Sequence, residues 1–150
     1  MLESYRELLD LLTQTPTRLR ETANAAGNPP EGEWTAAQVV GHMAASERML
    51  LERLNQLMNQ TDPLIKSGPS REVQEFGASL MDGTLDDNLT AFNTLRGEVV
   101  SLLMGLSLRD WERSGTHETR GALTIADVVE SFIDHDAEHT SQLESLAASA

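Results

Sequence analysis

The 150-residue chain has no cysteine, which excludes disulfides, thiolate metal sites and a thiol nucleophile of its own. Any metal it binds must be held through nitrogen and oxygen. Positive charge is scarce: 11 lysines and arginines stand against 24 acids, a formal charge of -13, and from Gly121 to the end there is no lysine or arginine at all. Such a surface repels phosphate backbones and anionic membrane surfaces, because affinity for nucleic acid comes largely from basic residues that displace counterions. Nucleic-acid binding is therefore excluded. No apolar run approaches membrane-spanning length, and Met1-Leu2-Glu3-Ser4-Tyr5-Arg6-Glu7 lacks the basic start and apolar core of a signal peptide, so a cytoplasmic protein is expected, with no membrane partner. Sustained period-two alternation is missing as well, which speaks against a sheet protein.

What the sequence does carry is apolar residues at helical spacing. Leu2, Tyr5, Leu9, Leu12, Pro16, Leu19 and Ala23 recur at steps of three and four. They predict a first helix that Thr15-Pro16 kinks or breaks into two collinear pieces, since proline lacks the amide hydrogen and clashes with the preceding turn. Gly27-Asn28-Pro29-Pro30-Glu31-Gly32 ends it in a loop. Thr35-Ala36-Ala37-Gln38 has the spacing of a capping box and starts a second helix, whose inward stripe runs through Val39, His42 or Met43, Ser46, Met49 or Leu50, Arg53 or Leu54, and Leu57. Residues 59–70 read as a loop, Arg71 to Met81 as a short helix, and Thr84 to Met104 as a third long helix with Leu89, Phe92 and Val99 on its core stripe. One further turn at Ser107 to Trp111 and a polar loop from Arg113 to Gly121 lead to Thr124. With Asp127 three residues on, Thr124 caps a last helix running to about Ala147, roughly 36 Å long at 1.5 Å per residue. Four long amphipathic helices, with a short one in the long connection, predict a single all-α domain over residues 1–150, a four-helix bundle.

Two of the four histidines, His135 and His139, stand four residues apart on the last helix, close enough on one face to grip a single ion. They continue the stripe Ile125, Val128, Phe132 and so are expected to face inward. One inward histidine is usually a core residue bonded to a neighbour. Two stacked on one stripe each need a buried partner, and a shared cation satisfies both. His42 on the second helix can converge with them in a bundle core.

The window Trp34-Thr35-Ala36-Ala37-Gln38-Val39-Val40-Gly41-His42, taken with His135-x-x-x-His139-x-x-Gln142, resembles the DinB/YfiT-like family of metal-dependent bundles, and the likeness extends through Trp111-Glu112-Arg113, Gly121 and Leu123-Thr124-Ile125. The resemblance implies an antiparallel four-helix bundle in an unusual order and a divalent metal, zinc or nickel, bound by His42, His135 and His139. Three imidazoles leave a tetrahedral ion one position for water or substrate. Gln142, one turn beyond His139, and Asp136 or Glu138 are candidates to orient the ligands. The family also implies a small-molecule substrate, with relatives that use low-molecular-weight thiols, a homodimer, and expression under stress. Two functions stay open: a metal-dependent thiol S-transferase or hydrolase, and a non-catalytic bundle in which the ion is structural. His135-Asp136-Ala137-Glu138-His139 also fits the inverted zinc-protease pattern H-x-x-E-H, but those enzymes take a further ligand from far downstream and only eleven residues follow His139. Glu138 is expected to be a solvated acid. His117 is expected to be exposed in its polar loop, Trp34 and Trp111 to plug bundle ends, Arg96 to pair with an acid on the last helix, and Met43 and Met49 to fill the core.

Overall fold

The helix starts carry the capping chemistry that the sequence predicts. Thr35 Oγ1 accepts the Gln38 amide at 3.2 Å while Gln38 Oε1 accepts the Thr35 amide at 3.0 Å. Thr124 and Asp127 make the same reciprocal pair at 3.1 and 2.9 Å, so both helices that bear the histidines begin at a fixed residue. The computed structural model describes the backbone of residues 2–149 and the side chains of residues 2–146. In chain order the elements are α1 (Glu3–Ala25), α2 (Ala36–Asn59), β1 (Leu64–Ile65), α3 (Arg71–Leu80), α4 (Leu85–Met104), α5 (Leu108–Trp111), β2 (Ser114–His117), β3 (Gly121–Thr124) and α6 (Ile125–Ser149).

The four long helices form the bundle. Around its axis they run α1, α4, α2, α6, so the sequence neighbours α1 and α2 face each other diagonally and scarcely touch. Asn88 at the start of α4 donates to the carbonyl of Ala37 at the start of α2, and Arg96 one side of the core bonds Glu47, which makes α2 and α4 parallel. α1 and α6 are also parallel, joined late in both helices by Arg18 and Glu144. The parallel α2–α4 pair requires the long crossover that holds β1 and α3. No helix among the described residues is long and apolar enough to cross a membrane.

The end loops hold a small sheet that the sequence does not predict. β1 pairs parallel with β2, and β2 antiparallel with β3, closing the end of the bundle where α6 begins. Burial alternates along β2, with Gly115 and His117 inside, but four residues are too few for a period to stand out. Gly115 is required there, since a Cβ would lie 2.7 Å from the carbonyl oxygen of Pro63.

α1 passes through Pro16 without breaking. The proline leaves the Leu12 carbonyl without its intrahelical donor, and Arg96 Nη1 supplies one at 2.9 Å. Arg96 is 1% exposed. Its guanidinium also grips Glu47 through two nitrogens, donates to Asp136 Oδ2 at 2.7 Å and lies over the Phe92 ring. The pairing with an acid on the last helix is thus as expected, with a second acid and a freed carbonyl added. This polar layer divides the apolar core in two. Leu9, Leu50, Val99, Trp111 and Phe132 belong to one cluster, and Leu19, Val40, Met43, Leu89 and Leu143 to the other. An ionic layer that touches all four helices satisfies its charges in only one axial register.

Candidate metal centre

α2 and α6 run antiparallel beside each other, and their facing sides bring His42, His135 and His139 together. The three Nε2 atoms converge: His42 to His135 is 3.2 Å and His139 to His135 is 3.0 Å. All three ligand atoms lie within 4.8 Å of one another. A tetrahedral ion with Zn–N bonds of about 2.0–2.1 Å spaces its ligands about 3.3 Å apart, so the triad fits one divalent cation with a small inward shift of His42 or His139.

The histidines sit one position away from where apolar periodicity puts them. The buried face of α6 runs through Phe132, Asp136, Thr140 and Leu143, whereas His135 and His139 are half-buried on its flank. Asp136 is the cause. Its carboxylate turns into the core to meet Arg96, and the roughly 100° between successive helical residues then swings His135 into the groove between α6 and α2. A ligand pair at the rim, with one side open, suits a reactive ion better than a pair sealed in the core.

Gln142 behaves as the sequence predicts. Its Oε1 stands 2.9 Å from His139 Nδ1; with the amide oxygen accepting, the proton sits on Nδ1 and the Nε2 lone pair faces the centre. Asp136 does not orient an imidazole, being held by Arg96, and Glu138 is exposed. Burial pushes the His135 imidazole down to about 4, helped by His139 and His42, and burial then His139 lower His42. Both rings are therefore neutral at pH 7, as ligands must be. Burial is also the main influence on Asp136, raising it to about 6 despite Arg96, with Glu47 adding to the rise.

Beside His42 opens a groove of about 410 Å³ between α2 and α3, lined by Trp34, Ala45, Met49, Val73, Gly77 and Met81. Trp34 is 39% exposed, with its ring centroid 5.3 Å from that of His42; it forms a wall of the groove, unlike Trp111, which is fully buried as a bundle-end plug and stacks on Tyr5. Met43 fills the core, but Met49 lines the groove. A second cavity of about 200 Å³ continues past Met49 and Pro69 to Arg53. His117 is buried, 6% exposed, contrary to its polar neighbourhood in sequence. Its Nδ1 accepts the amides of Thr119 and Arg120, which folds the hairpin turn, and it is not among the clustered ligands. The signal that sequence reasoning missed is the Gly115-x-His117 alternation.

The fold matches that of YfiT from Bacillus subtilis, described as "a probable metal-dependent hydrolase with an unusual four-helix bundle topology", with a TM-score of 0.83 at 18% identity, covering 99% of this chain and 89% of that one. A protein of Bacillus cereus (strain ZK / E33L) named "Putative metal-dependent hydrolase" is 32% identical over 117 residues, 77% of this chain. One of Bacillus anthracis with the same description is equally similar. The matched region spans 65% of the length of each relative. The family model described as DinB superfamily matches residues 2–143, nearly the whole bundle, and the chain belongs to the DinB superfamily.

Proposed function

We propose that the protein is a metal-dependent enzyme of nucleophilic hydrolysis or group transfer, with zinc or nickel held by His42, His135 and His139. The observation that carries this reading is the convergence of three Nε2 atoms at tetrahedral spacing on the rim of an apolar groove. A divalent ion supplies Lewis acidity there, lowering the pKa of a water or thiol enough to make a nucleophile at neutral pH. The chain's own residues do the rest. Gln142 holds the His139 tautomer, the Glu47–Arg96–Asp136 layer holds α2 and α6 in register, and Trp34 and Met49 offer an apolar surface to the substrate and exclude water from one side.

The acids near the triad bear on the choice between water and thiol. Asp136 is committed to Arg96, and Asp134 and Glu138 are exposed. A water nucleophile benefits from a carboxylate base within hydrogen-bond reach, while a thiol, with a reference pKa of about 8.5, ionises on metal contact without one. This favours a low-molecular-weight thiol as co-substrate, consistent with a chain that has no cysteine of its own. Protein purified without a histidine tag and loaded with zinc or nickel should transfer a small thiol to 1-chloro-2,4-dinitrobenzene or hydrolyse p-nitrophenyl esters. The His42→Ala variant should do neither. If the loaded protein turns over none of these while the metal still raises its Tm, the enzyme reading fails and the ion is structural.

A further inference from the structure

In a chain with 24 acids and 11 lysines and arginines, Arg53, which lines the cavity that continues the groove, and Arg120 have no carboxylate partner within salt-bridge distance among the described residues. Arg53 stands on the face of α2 that also bears His42, Ser46 and Met49, at steps of four, three and four. It spends one nitrogen on the Lys66 carbonyl and rests its guanidinium over Phe132, 5.8 Å from the ring centroid. That ring is 6.2 Å from His135, so the charge lies no farther from the triad than these two steps combined. Arg120, in the β2–β3 turn, donates one nitrogen to the Ser131 hydroxyl, and Ser131 is one helical turn before His135 on the same side of α6.

His117 lies beside both segments, paired with Ile65 and accepting the Arg120 amide. Because Nδ1 accepts two backbone amides, the ring proton of the neutral imidazole is on Nε2, and that N–H has no acceptor among the described residues. Burial lowers the pKa of His117, and the charges of Arg53 and Arg120 lower it further, with Glu118 acting in the opposite sense; burial and Arg120 likewise lower that of Arg53. Contacts bring the three groups together: His117 pairs with Ile65, next to the Lys66 carbonyl that Arg53 binds, and Arg53 and Arg120 meet the adjacent residues Phe132 and Ser131 of α6. Two acids lie nearby, Glu118 accepting the amide and hydroxyl of Ser67 and Glu52 accepting the hydroxyl of Ser70; neither carboxylate forms an ion pair with Arg53 or Arg120 among the described residues. Arg53 is half-buried and Arg120 exposed, and two like charges near each other are favoured by an anion that joins them.

We propose that Arg53, Arg120 and the Nε2–H of His117 form a subsite for an oxyanion, the carboxylate or phosphate of a small substrate whose apolar part lies along Met49 and Phe132 toward the histidine triad. The inference rests on the groove being the substrate site of the reading above. Guanidinium forks and an imidazole N–H match such oxygens with several charge-assisted hydrogen bonds. The subsite also gives an anionic substrate a local positive target on an otherwise acidic surface.

The test is binding rather than turnover, so that it stands apart from catalysis. 3-Phenylpropionate, neutral 3-phenylpropionamide and phenyl phosphate are titrated by calorimetry into metal-free wild type and into His42→Ala, where no metal can hold the anion. Both proteins should bind the acid at least about tenfold more tightly than the amide. Arg53→Met, which keeps an unbranched apolar stem but no charge, should remove that preference, as should Arg120→Met, and Arg53→Lys should restore part of it. Whichever of the acid and the phosphate binds more tightly names the anion. Equal binding of acid and amide, or an unchanged preference in Arg53→Met, overturns the subsite. Failure of the metal-loaded protein to turn over substrate, with the preference intact, overturns only the enzyme reading.

Discussion

Replacing Arg96 by methionine removes the one cation that faces two buried carboxylates and a carbonyl freed by proline. Glu47 is 1% and Asp136 6% exposed, so neither finds water when its partner goes. Breaking a buried ion pair costs about 3–5 kcal/mol, and an orphaned buried carbonyl about 1–3 more. Asp136, already raised to about 6, can escape part of this by taking up a proton, which holds the expected loss at pH 7 near 4 kcal/mol. Against a typical stability of about 5–15 kcal/mol the variant should fold, but with a much lower midpoint in urea. Circular dichroism during urea unfolding gives the value. Two second-site changes sharpen the test. Glu47→Gln with Asp136→Asn in the Arg96→Met background should recover part of the loss by removing the stranded charges. Pro16→Ala restores an amide hydrogen to the Leu12 carbonyl, so it should stabilise Arg96→Met by about 1 kcal/mol more than it stabilises the wild type. A loss below about 1 kcal/mol on Arg96→Met, or no coupling to Pro16, would show that the layer does not hold the bundle together in this way.

Further outcomes follow from the imidazole environments. Without metal, the unfolded chain protonates its histidines near about 6.5, whereas folded His135 stays neutral down to about 4. The unfolded state therefore binds more histidine protons in that window, as it also does for the lowered His42 and His117, while Asp136, raised to about 6, acts in the opposite sense. With three histidines against one carboxylate, the Tm of the metal-free protein should fall as pH drops from 6.5 toward 4, and a Tm that rises over that range would refute the neutral rings. Over the same range His135 itself should not release metal, its proton competing only near pH 4, as a zinc titration at several pH values can check. Gln142→Leu removes the acceptor at His139 Nδ1 and should weaken zinc binding about tenfold or more without changing the unfolding midpoint of the metal-free protein appreciably.

The helices, their caps and the histidine pair were legible because each rests on spacing within a few residues: Thr35 with Gln38, Thr124 with Asp127, His135 with His139; His42 joined the pair only through the family resemblance and the convergence that a bundle allows. What was not legible depends on contacts across the chain. Pro16 reads as a kink or a break until Arg96, 80 residues on, is seen to satisfy Leu12. Asp136 reads as a candidate to orient a ligand, and apolar periodicity assigns its core position to His135, because nothing local reveals which acid of the last helix Arg96 meets across the bundle. The two-residue β1 and the four-residue β2 and β3 are held by pairing between distant segments rather than by a pattern of their own, and His117 was assigned to solvent for that reason. Trp34 and Trp111 are alike in sequence as boundary aromatics; only the groove beside α3 separates a site wall from a core plug.

The central claim, that α2 and α6 jointly hold one divalent ion, is tested most directly by calorimetric titration of tag-free protein with zinc and with nickel, comparing wild type with His42→Ala, His135→Ala, His139→Ala and His117→Ala. One ion per chain should bind tightly to the wild type and to His117→Ala, and each of the three triad variants should lose tight binding, since two imidazoles cannot hold what three do. Wild-type affinity in His42→Ala would show that the second helix supplies no ligand, and would contradict the convergence of the three Nε2 atoms as the basis of the site.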